Sequence, residues 1–323
     1  MTRSAEAEQD TLPMQPGSFR SLAWAALLLG VFLSAGGDRL SAAQGSAGGI
    51  GVQRTSRGDI LKLELPSAPF PHRGRQNGYR CGDAYYPPDP HYSDSSVQVF
   101  VPAGFRAGDA VDLVFFFHGW NSSITEAERG FELCRQFAES GVNALLVVPE
   151  LARDVPDSFG GNLEEGGGFQ RLVDDLLQAL RGYGLLARPK PGRLVLAGHS
   201  GAYRVIAQVL ARGGLAEHIG EVYLFDALYD LEDLFADWIR GGDHRFVSVN
   251  VTGSETSATA ERLIGMLRAS AIPLSVAPDE PAQNWRRLRS RVLFLQSPYD
   301  HYGVVSASDQ FRGILSSSPE LAR

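Results

Sequence analysis

The stretch from Leu194 to Ala202 reads Leu-Val-Leu-Ala-Gly-His-Ser-Gly-Ala, and the interpretation of the fold starts from it. Its apolar first half predicts a short buried strand, and the residues that follow predict a helix over 202–212. The small residues between strand and helix favour a sharp turn with Ser200 at its apex. A serine hydroxyl attacks a carbonyl only if it projects from the backbone and a base takes its proton. The stretch therefore indicates that Ser200 is a candidate nucleophile.

Apolar stretches alternate with amphipathic stretches along the rest of the chain. The residues Phe169–Leu180 have the apolar i, i+3, i+4, i+7 spacing of a helix packed on a sheet. Strands are predicted at 60–65, 97–101, 111–117, 144–148, 194–197, 222–225, 246–251 and 292–295, and further helices at 124–139, 257–268 and 304–315. This alternation predicts an α/β fold with a mostly parallel eight-stranded sheet and helices on both faces.

Polar residues follow several predicted strands directly. They are the run His118-Gly119-Trp120-Asn121, then Ser200, Asp226, the run Thr252-Gly-Ser-Glu255, and the pair Asp300-His301. In open α/β sheets, ligands bind outside the carboxyl ends of the strands. We therefore expect these side chains to border one site.

The run Gly-His-Ser-Gly-Ala at 198–202, preceded along the chain by a strand that ends in His118-Gly119, resembles the α/β-hydrolase family. This esterase- and lipase-like superfamily of serine hydrolases carries the nucleophile motif Gly-x-Ser-x-Gly. Ala202 stands where the family has its last glycine. The resemblance implies the α/β-hydrolase fold and a catalytic triad in the chain order serine, acid, histidine. It thus implies that Ser200 is the nucleophile and that His301, after the last predicted strand, is the base.

The acid of this implied triad has three candidates. Asp226 ends the strand after that of the nucleophile, where part of the family, including pancreatic-type lipases, carries its acid. Glu255 follows the next strand, where most of the family carries it. Asp300 is adjacent to His301 in sequence, and a neighbouring residue seldom bends round to the far ring nitrogen. We predict Asp226, and Glu255 and Asp300 remain alternatives.

The resemblance also implies an oxyanion hole. Its donors would be the main-chain N–H groups of Trp120 and Gly201, with Asn121 as an alternative donor. The aromatic side chains of Trp120, Phe159 and Tyr229 would line an acyl pocket. The histidine beside the nucleophile, His199, is expected to have a structural role.

The predicted function is hydrolysis of carboxylic esters through an acyl-enzyme intermediate. The same triad serves an amidase or peptidase, and a non-catalytic binding protein with this fold is the alternative from another class. The expected partner is a small-molecule or acylated substrate. A formal net charge of −7 without a dense Lys/Arg stripe argues against nucleic-acid binding. No Cys/His cluster has metal-ligand spacing, so neither a metal nor a cofactor is predicted.

The amino-terminal sequence predicts export. The apolar run Ser21–Ala35 has the length of a signal-peptide core, and the small residues up to Ala43 suit cleavage there. Residues 1–43 are therefore predicted to be a signal peptide or a membrane anchor. A flexible leader at 44–57 and a catalytic domain at 58–323 follow. We expect a secreted or periplasmic protein, with stable membrane insertion only if the segment is an uncleaved anchor.

The chain has only two cysteines, Cys81 and Cys134. An oxidising compartment would allow them to pair. Two buried free thiols are the alternative, and the sequence leaves both open.

Overall fold

The computed structural model describes residues 50–280 and 290–322. The predicted signal peptide or anchor at 1–43 lies outside the described residues. Part of the predicted leader at 44–57 is described, and there the structure differs from the prediction. Residues Gly51–Thr55 form a strand at the edge of the sheet, so that stretch is not a flexible leader.

Ten strands form one sheet within the described residues. In chain order they are β1 (Gly51–Thr55), β2 (Gly58–Glu64), β5 (Ser96–Pro102), β6 (Val111–Phe117), β7 (Leu145–Pro149), β8 (Pro191–His199), β9 (Ile219–Phe225), β10 (Arg245–Val251), β11 (Ser275–Pro278) and β12 (Val292–Ser297). Their spatial order is β1-β2-β5-β7-β6-β8-β9-β10-β12-β11. A separate hairpin consists of β3 (Tyr79–Cys81) and β4 (Ala84–Tyr86).

The sheet is antiparallel at one end and parallel over the rest. The pairs β1–β2, β2–β5 and β5–β7 are antiparallel. From β7 through β6, β8, β9, β10 and β12 to β11, every pair is parallel. The carboxyl ends of β6, β8, β9, β10 and β12 therefore meet at one edge of the sheet, as the sequence predicts.

The helices cover both faces of the sheet. Their bounds are α1 (Pro88–His91), α2 (Ile124–Phe131), α3 (Leu133–Ser140), α4 (Gly168–Gly182), α5 (Tyr203–Arg212), α6 (Glu232–Arg240), α7 (Glu255–Ala269), α8 (Gly303–Ser306) and α9 (Gln310–Ser316). Helices α4 to α7 share one hydrophobic core with the sheet, and α2, α3, α8 and α9 share the other.

Strand β6 shows why both faces of the sheet are apolar. Phe115 contacts Phe169 of α4 on one side, with ring centroids 4.8 Å apart, whereas Phe116 contacts Phe311 of α9 on the other, at 5.4 Å. Because successive side chains of a strand point to opposite faces, a run of aromatic and branched residues fills both cores at once. The strand thus anchors the carboxyl-end edge where the site lies.

The predicted elements are found with small differences in their bounds. All eight predicted strands are present, and the structure adds β1 and β11 at the sheet edges. The predicted helix at 124–139 is two helices, because Glu132 adopts a left-handed conformation with φ 50° and ends α2. The predicted helix at 304–315 is likewise divided into α8 and α9, and α6 was not predicted.

The two cysteines are not paired in the structure. Cys81 is exposed and Cys134 is buried, and both are free thiols in the structure, so the pairing that the sequence left open does not occur there. Burial raises the pKa of the Cys134 thiol.

Within residues 50–280 and 290–322, no helix has both the length and the apolar character that crossing a bilayer requires.

Candidate active site

Ser200 occupies the predicted sharp turn. Strand β8 ends at His199, a 3₁₀ turn spans Ser200–Ala202, and α5 begins at Tyr203. Ser200 has a φ of 55°, a left-handed conformation that non-glycine residues rarely adopt. A residue keeps such a strained conformation only where the surrounding structure holds it there. The conformation turns the Ser200 side chain away from the direction of the strand.

Small side chains allow this turn to form. A Cβ atom on Gly198 would lie 2.7 Å from the Cβ of Ala202 and 2.8 Å from Cδ1 of Ile206. Both contacts are too close for unstrained packing, so position 198 requires glycine. The methyl group of Ala202 is itself buried and fits because Gly198 has no side chain. The departure from the Gly-x-Ser-x-Gly motif is therefore accommodated within the turn.

His301 and Asp226 form a direct contact. The Nδ1 atom of His301 lies 2.6 Å from Oδ2 of Asp226, and a carboxylate oxygen only accepts, so the ring donates from Nδ1. The other oxygen of Asp226 accepts from the Val251 N–H at 3.1 Å and from the Thr256 hydroxyl. Asp226 directly follows β9 and its side chain is almost fully buried. The structure thus brings together Asp226 and His301, the two residues that the sequence predicts as acid and histidine.

The surroundings of Asp226 keep it ionised. Burial alone would raise the pKa of this carboxyl, but hydrogen bonds from His301, Thr256 and Val251 outweigh burial and lower the pKa. The negative charge is therefore stable next to the His301 ring. A carboxylate in this position favours the ring tautomer that leaves Nε2 without a proton.

The two alternative acids have other surroundings. Glu255 is exposed at the first position of α7, and no hydrogen bond joins it to His301 in the described part of the chain. Asp300 accepts hydrogen bonds from the main-chain N–H groups of Tyr302 and Gly303 at 3.2 and 2.7 Å. Its carboxylate thus caps the turn that leads into α8. The geometry brings Asp226, and neither of these two, to the His301 ring.

The His118-Gly119 strand end lies against the nucleophile. A Cβ atom on Gly119 would be 2.6 Å from the Cβ of Ser200 and 2.9 Å from the His199 carbonyl oxygen. Only glycine permits this approach. The buried His118 ring fixes the turn, because its Nδ1 lies 2.9 Å from the Gly119 oxygen while its Nε2 accepts from the Leu151 N–H at 3.0 Å.

The two predicted oxyanion donors belong to residues next to the nucleophile turn: Gly201 follows Ser200, and Trp120 follows Gly119, which lies against Ser200. Gly201 is in the first turn after the strand, where main-chain N–H groups have no partner within the helix. The Trp120 N–H donates to no other described residue. The Asn121 N–H, the alternative donor, already donates to the Val155 oxygen at 2.9 Å. The Trp120 ring lies over Gly201, since a Cβ there would come within 2.4 Å of Trp120 Cδ1.

The three predicted pocket residues have different positions. The Trp120 side chain is partly exposed and donates from Nε1 to the Ser158 hydroxyl at 2.7 Å. The Tyr229 ring contacts that of Tyr203, the first residue of α5, with ring centroids 6.0 Å apart. Phe159 packs instead between two guanidinium groups, with Arg75 at 4.7 Å and Arg204 at 5.5 Å from its ring centroid. Trp120 thus adjoins the turn of the nucleophile, Tyr229 lies beside the start of α5, and Phe159 packs against the neighbouring loop.

Two polar contacts of the site were not predicted. The Thr256 hydroxyl donates to Asp226, and the Thr259 hydroxyl donates to the main-chain oxygen of Tyr229 at 3.3 Å. Burial, followed by the nearby charges of Asp226 and Glu255, raises the pKa of Tyr229 to about 12, so this phenol stays protonated.

No metal site accompanies these residues in the part of the chain that the structure describes. There, no group of three or more His, Cys, Asp or Glu side chains is arranged to hold an ion.

Comparison with known proteins identifies the fold. No family model and no curated protein matches this chain. Among solved structures, the feruloyl esterase module from Clostridium thermocellum complexed with sinapinate aligns at a TM-score of 0.51 and 10% identity, over 83% of this chain and 90% of that one. The chain has the α/β-hydrolase fold. The prediction of that fold is confirmed, with a larger sheet than predicted.

Two further solved structures are similar to this chain with lower TM-scores. The fluorophosphonate-binding serine hydrolase F (FphF) from Staphylococcus aureus has a TM-score of 0.48 at 12% identity, over 81% of this chain and 100% of that one. The S-formylglutathione hydrolase FrmB from the same organism has a TM-score of 0.47 at 11% identity, over 84% and 100%.

Proposed function

We propose that this protein is a serine hydrolase that cleaves carboxylic esters through an acyl-enzyme intermediate. The observation that carries the proposal is the 2.6 Å contact between His301 Nδ1 and Asp226 Oδ2 at the sheet edge where Ser200 has its strained turn. A buried, ionised carboxylate that orients an imidazole beside a projecting serine is the arrangement that activates a hydroxyl nucleophile.

In the proposed mechanism, Ser200 Oγ attacks the ester carbonyl and His301 Nε2 takes its proton. Asp226 stabilises the imidazolium that forms and keeps its ring in one orientation. His301 then gives the proton to the leaving alcohol as the tetrahedral intermediate collapses to the acyl-enzyme. Water attacks the acyl-enzyme by the same route, with His301 as base, and releases the acid and the free serine.

The developing oxyanion is assigned to the main-chain N–H groups of Trp120 and Gly201. Loss of one such donor costs other serine hydrolases about 10²–10³ in kcat. Support for this assignment comes from the close approach of Gly119 to Ser200, which brings the Trp120 main chain beside the nucleophile.

We propose a small-molecule or acylated substrate, and ester rather than amide cleavage. The test is a panel of nitrophenyl acyl esters with a parallel panel of acyl anilides, assayed with wild type and Ser200→Ala. We expect turnover of at least one ester and loss of that turnover in Ser200→Ala. Cleavage of anilides alone would support an amidase or peptidase. Absence of turnover with both panels would support a binding protein.

We also propose that the protein is exported to the periplasm or the medium. Support comes from the apolar run Ser21–Ala35 and the small residues that end at Ala43. Mass measurement of the protein from expressing cells tests this. A chain that begins at Gln44 supports a cleaved signal peptide, and an intact amino terminus in the membrane fraction supports an anchor. An intact chain in the cytosol would contradict export.

A further inference from the structure

His199 contacts the loop that carries His301. Its Nε2 lies 2.6 Å from the main-chain oxygen of His301. Because a carbonyl oxygen only accepts, the ring donates this bond from Nε2. His199 is the last residue of β8 and directly precedes Ser200, so one residue connects the nucleophile turn to the loop that carries the candidate base.

The contact with His199 holds the main chain of the His301 loop. Residues 298–302 lie between the end of β12 at Ser297 and the start of α8 at Gly303, outside any regular element. Asp226 holds the His301 ring but not its main chain. Within the described residues, the His301 carbonyl accepts no hydrogen bond other than that from His199. Asp300 holds the turn itself through the N–H groups of Tyr302 and Gly303, and the bond from His199 connects that turn to the end of β8.

Packing fixes the His199 ring in turn. The ring is almost fully buried, with its centroid 4.9 Å from that of Phe131 and 4.4 Å from that of His301. Burial and the neighbouring His301 lower the pKa of His199 to about 3, so the ring is neutral when His301 carries its proton. A neutral His199 ring does not repel the imidazolium form of His301. Loss of the carbonyl acceptor would leave the buried Nε2–H of His199 without a hydrogen bond, which costs free energy.

We propose that His199 is a positioning residue: its Nε2–H holds the main-chain carbonyl of His301 and so fixes the candidate base relative to Ser200. This inference rests on the proposed serine hydrolase function. It assigns His199 no contact with substrate and no proton transfer. Its effect appears in the chemical step, because a displacement of about 1 Å of a reacting group costs up to roughly a hundredfold in rate.

The test compares His199→Gln with His199→Met. Both side chains are unbranched and similar in length, but only glutamine carries a donor. We expect kcat to fall about tenfold or more in the methionine variant with KM within about twofold of wild type, and kcat to return to within about threefold in the glutamine variant. His218→Met is the matched control, because the His218 ring also bonds to a carbonyl oxygen, that of Gly192, near the opposite end of β8. We expect wild-type kcat from it.

The labelling rate of Ser200 with a fluorophosphonate gives a second readout that depends on the base but not on substrate fit. Equal rates in wild type and His199→Met would overturn the inference, as would equal impairment of the methionine and glutamine variants. If the methionine variant does not fold, His199→Phe replaces it, since phenylalanine keeps the ring contacts without the donor. If wild type neither labels nor hydrolyses esters, the proposed function itself fails, which is a different result.

Discussion

The side chain of His301 donates from Nδ1 to Oδ2 of Asp226 at 2.6 Å, while the other oxygen of the same carboxylate accepts from Val251 and Thr256. Both carboxylate oxygens are therefore engaged, and Asp226 cannot rotate without losing these bonds. A carboxylate fixed in this way permits only one tautomer of the ring, with Nε2 free to accept a proton. The proposed mechanism depends on this tautomer.

Replacement of Asp226 by asparagine tests that dependence. The amide cannot hold the imidazolium, and it favours the wrong ring tautomer, which lowered kcat about 10⁴-fold in a well-studied serine protease. We expect Asp226→Asn to reduce kcat by roughly 10³–10⁴, measured with the best ester of the panel. Glu255→Gln is the control and should stay within about threefold of wild type. A larger loss in Glu255→Gln than in Asp226→Asn would reverse the assignment of the acid.

A methyl group at Gly119 should disturb the nucleophile directly. The added Cβ would lie 2.6 Å from the Ser200 Cβ, so the serine or the turn after β6 must move. We expect Gly119→Ala to lower kcat on the order of a hundredfold, since donor and nucleophile both lose their geometry. Gly130→Ala is the control, because nothing lies within 4 Å of a Cβ there. Unchanged kcat in Gly119→Ala would show that this close approach does not serve the reaction.

The pair Gly198 and Ala202 should show coupled stability. Gly198→Ala places a Cβ 2.7 Å from that of Ala202 and should cost about 1–3 kcal/mol in free energy of unfolding by overpacking. Ala202→Gly alone should cost about 0.5–1 kcal/mol. In the double variant the first clash is absent, so we expect it to be more stable than the sum of the single variants predicts. Additive changes in urea unfolding would contradict this packing account of the motif.

The pH dependence of stability should reflect the buried His199. Its pKa is lowered from an ordinary value near 6.5 to about 3, so between these values the unfolded chain binds a proton that the folded chain does not. The folded state therefore loses stability as the pH falls through this window. His199→Gln removes this contribution, so its unfolding free energy should fall less between pH 7 and pH 4, by at most about 1.4 kcal/mol per pH unit. Parallel curves for wild type and variant would contradict a neutral, buried His199.

Strongly apolar strands made the centre of the fold predictable from the sequence. Val111–Phe117 is predicted and observed with the same bounds, because Asp112 is the only polar residue among its apolar side chains. The edge strands Gly51–Thr55 and Ser275–Pro278 were missed, since an edge strand needs few apolar residues: every residue of Gly51–Thr55 is exposed. The break at Glu132 was missed because it depends on a backbone conformation that the periodicity does not encode.

The site, like the fold, could be predicted from the sequence only in part. The positions of Ser200, Asp226 and His301 follow from strand ends, because parallel strands bring their carboxyl ends to one edge. The choice between Asp226 and Glu255 depends on which carboxylate the His301 ring faces, and that is a tertiary contact. The role of His199 also depends on a contact between residues distant in sequence, so its position beside Ser200 predicted only a structural residue.

Covalent labelling tests the central claim most directly. Wild type, Ser200→Ala and Asp226→Asn would be treated with a fluorophosphonate at neutral pH, and the modified peptide would be mapped by mass spectrometry. The account predicts one phosphonylated residue, Ser200, in wild type, no label in Ser200→Ala, and labelling slowed by about two orders of magnitude or more in Asp226→Asn. Absence of label on Ser200 in folded wild-type protein, under conditions in which a known serine hydrolase is modified, would contradict it.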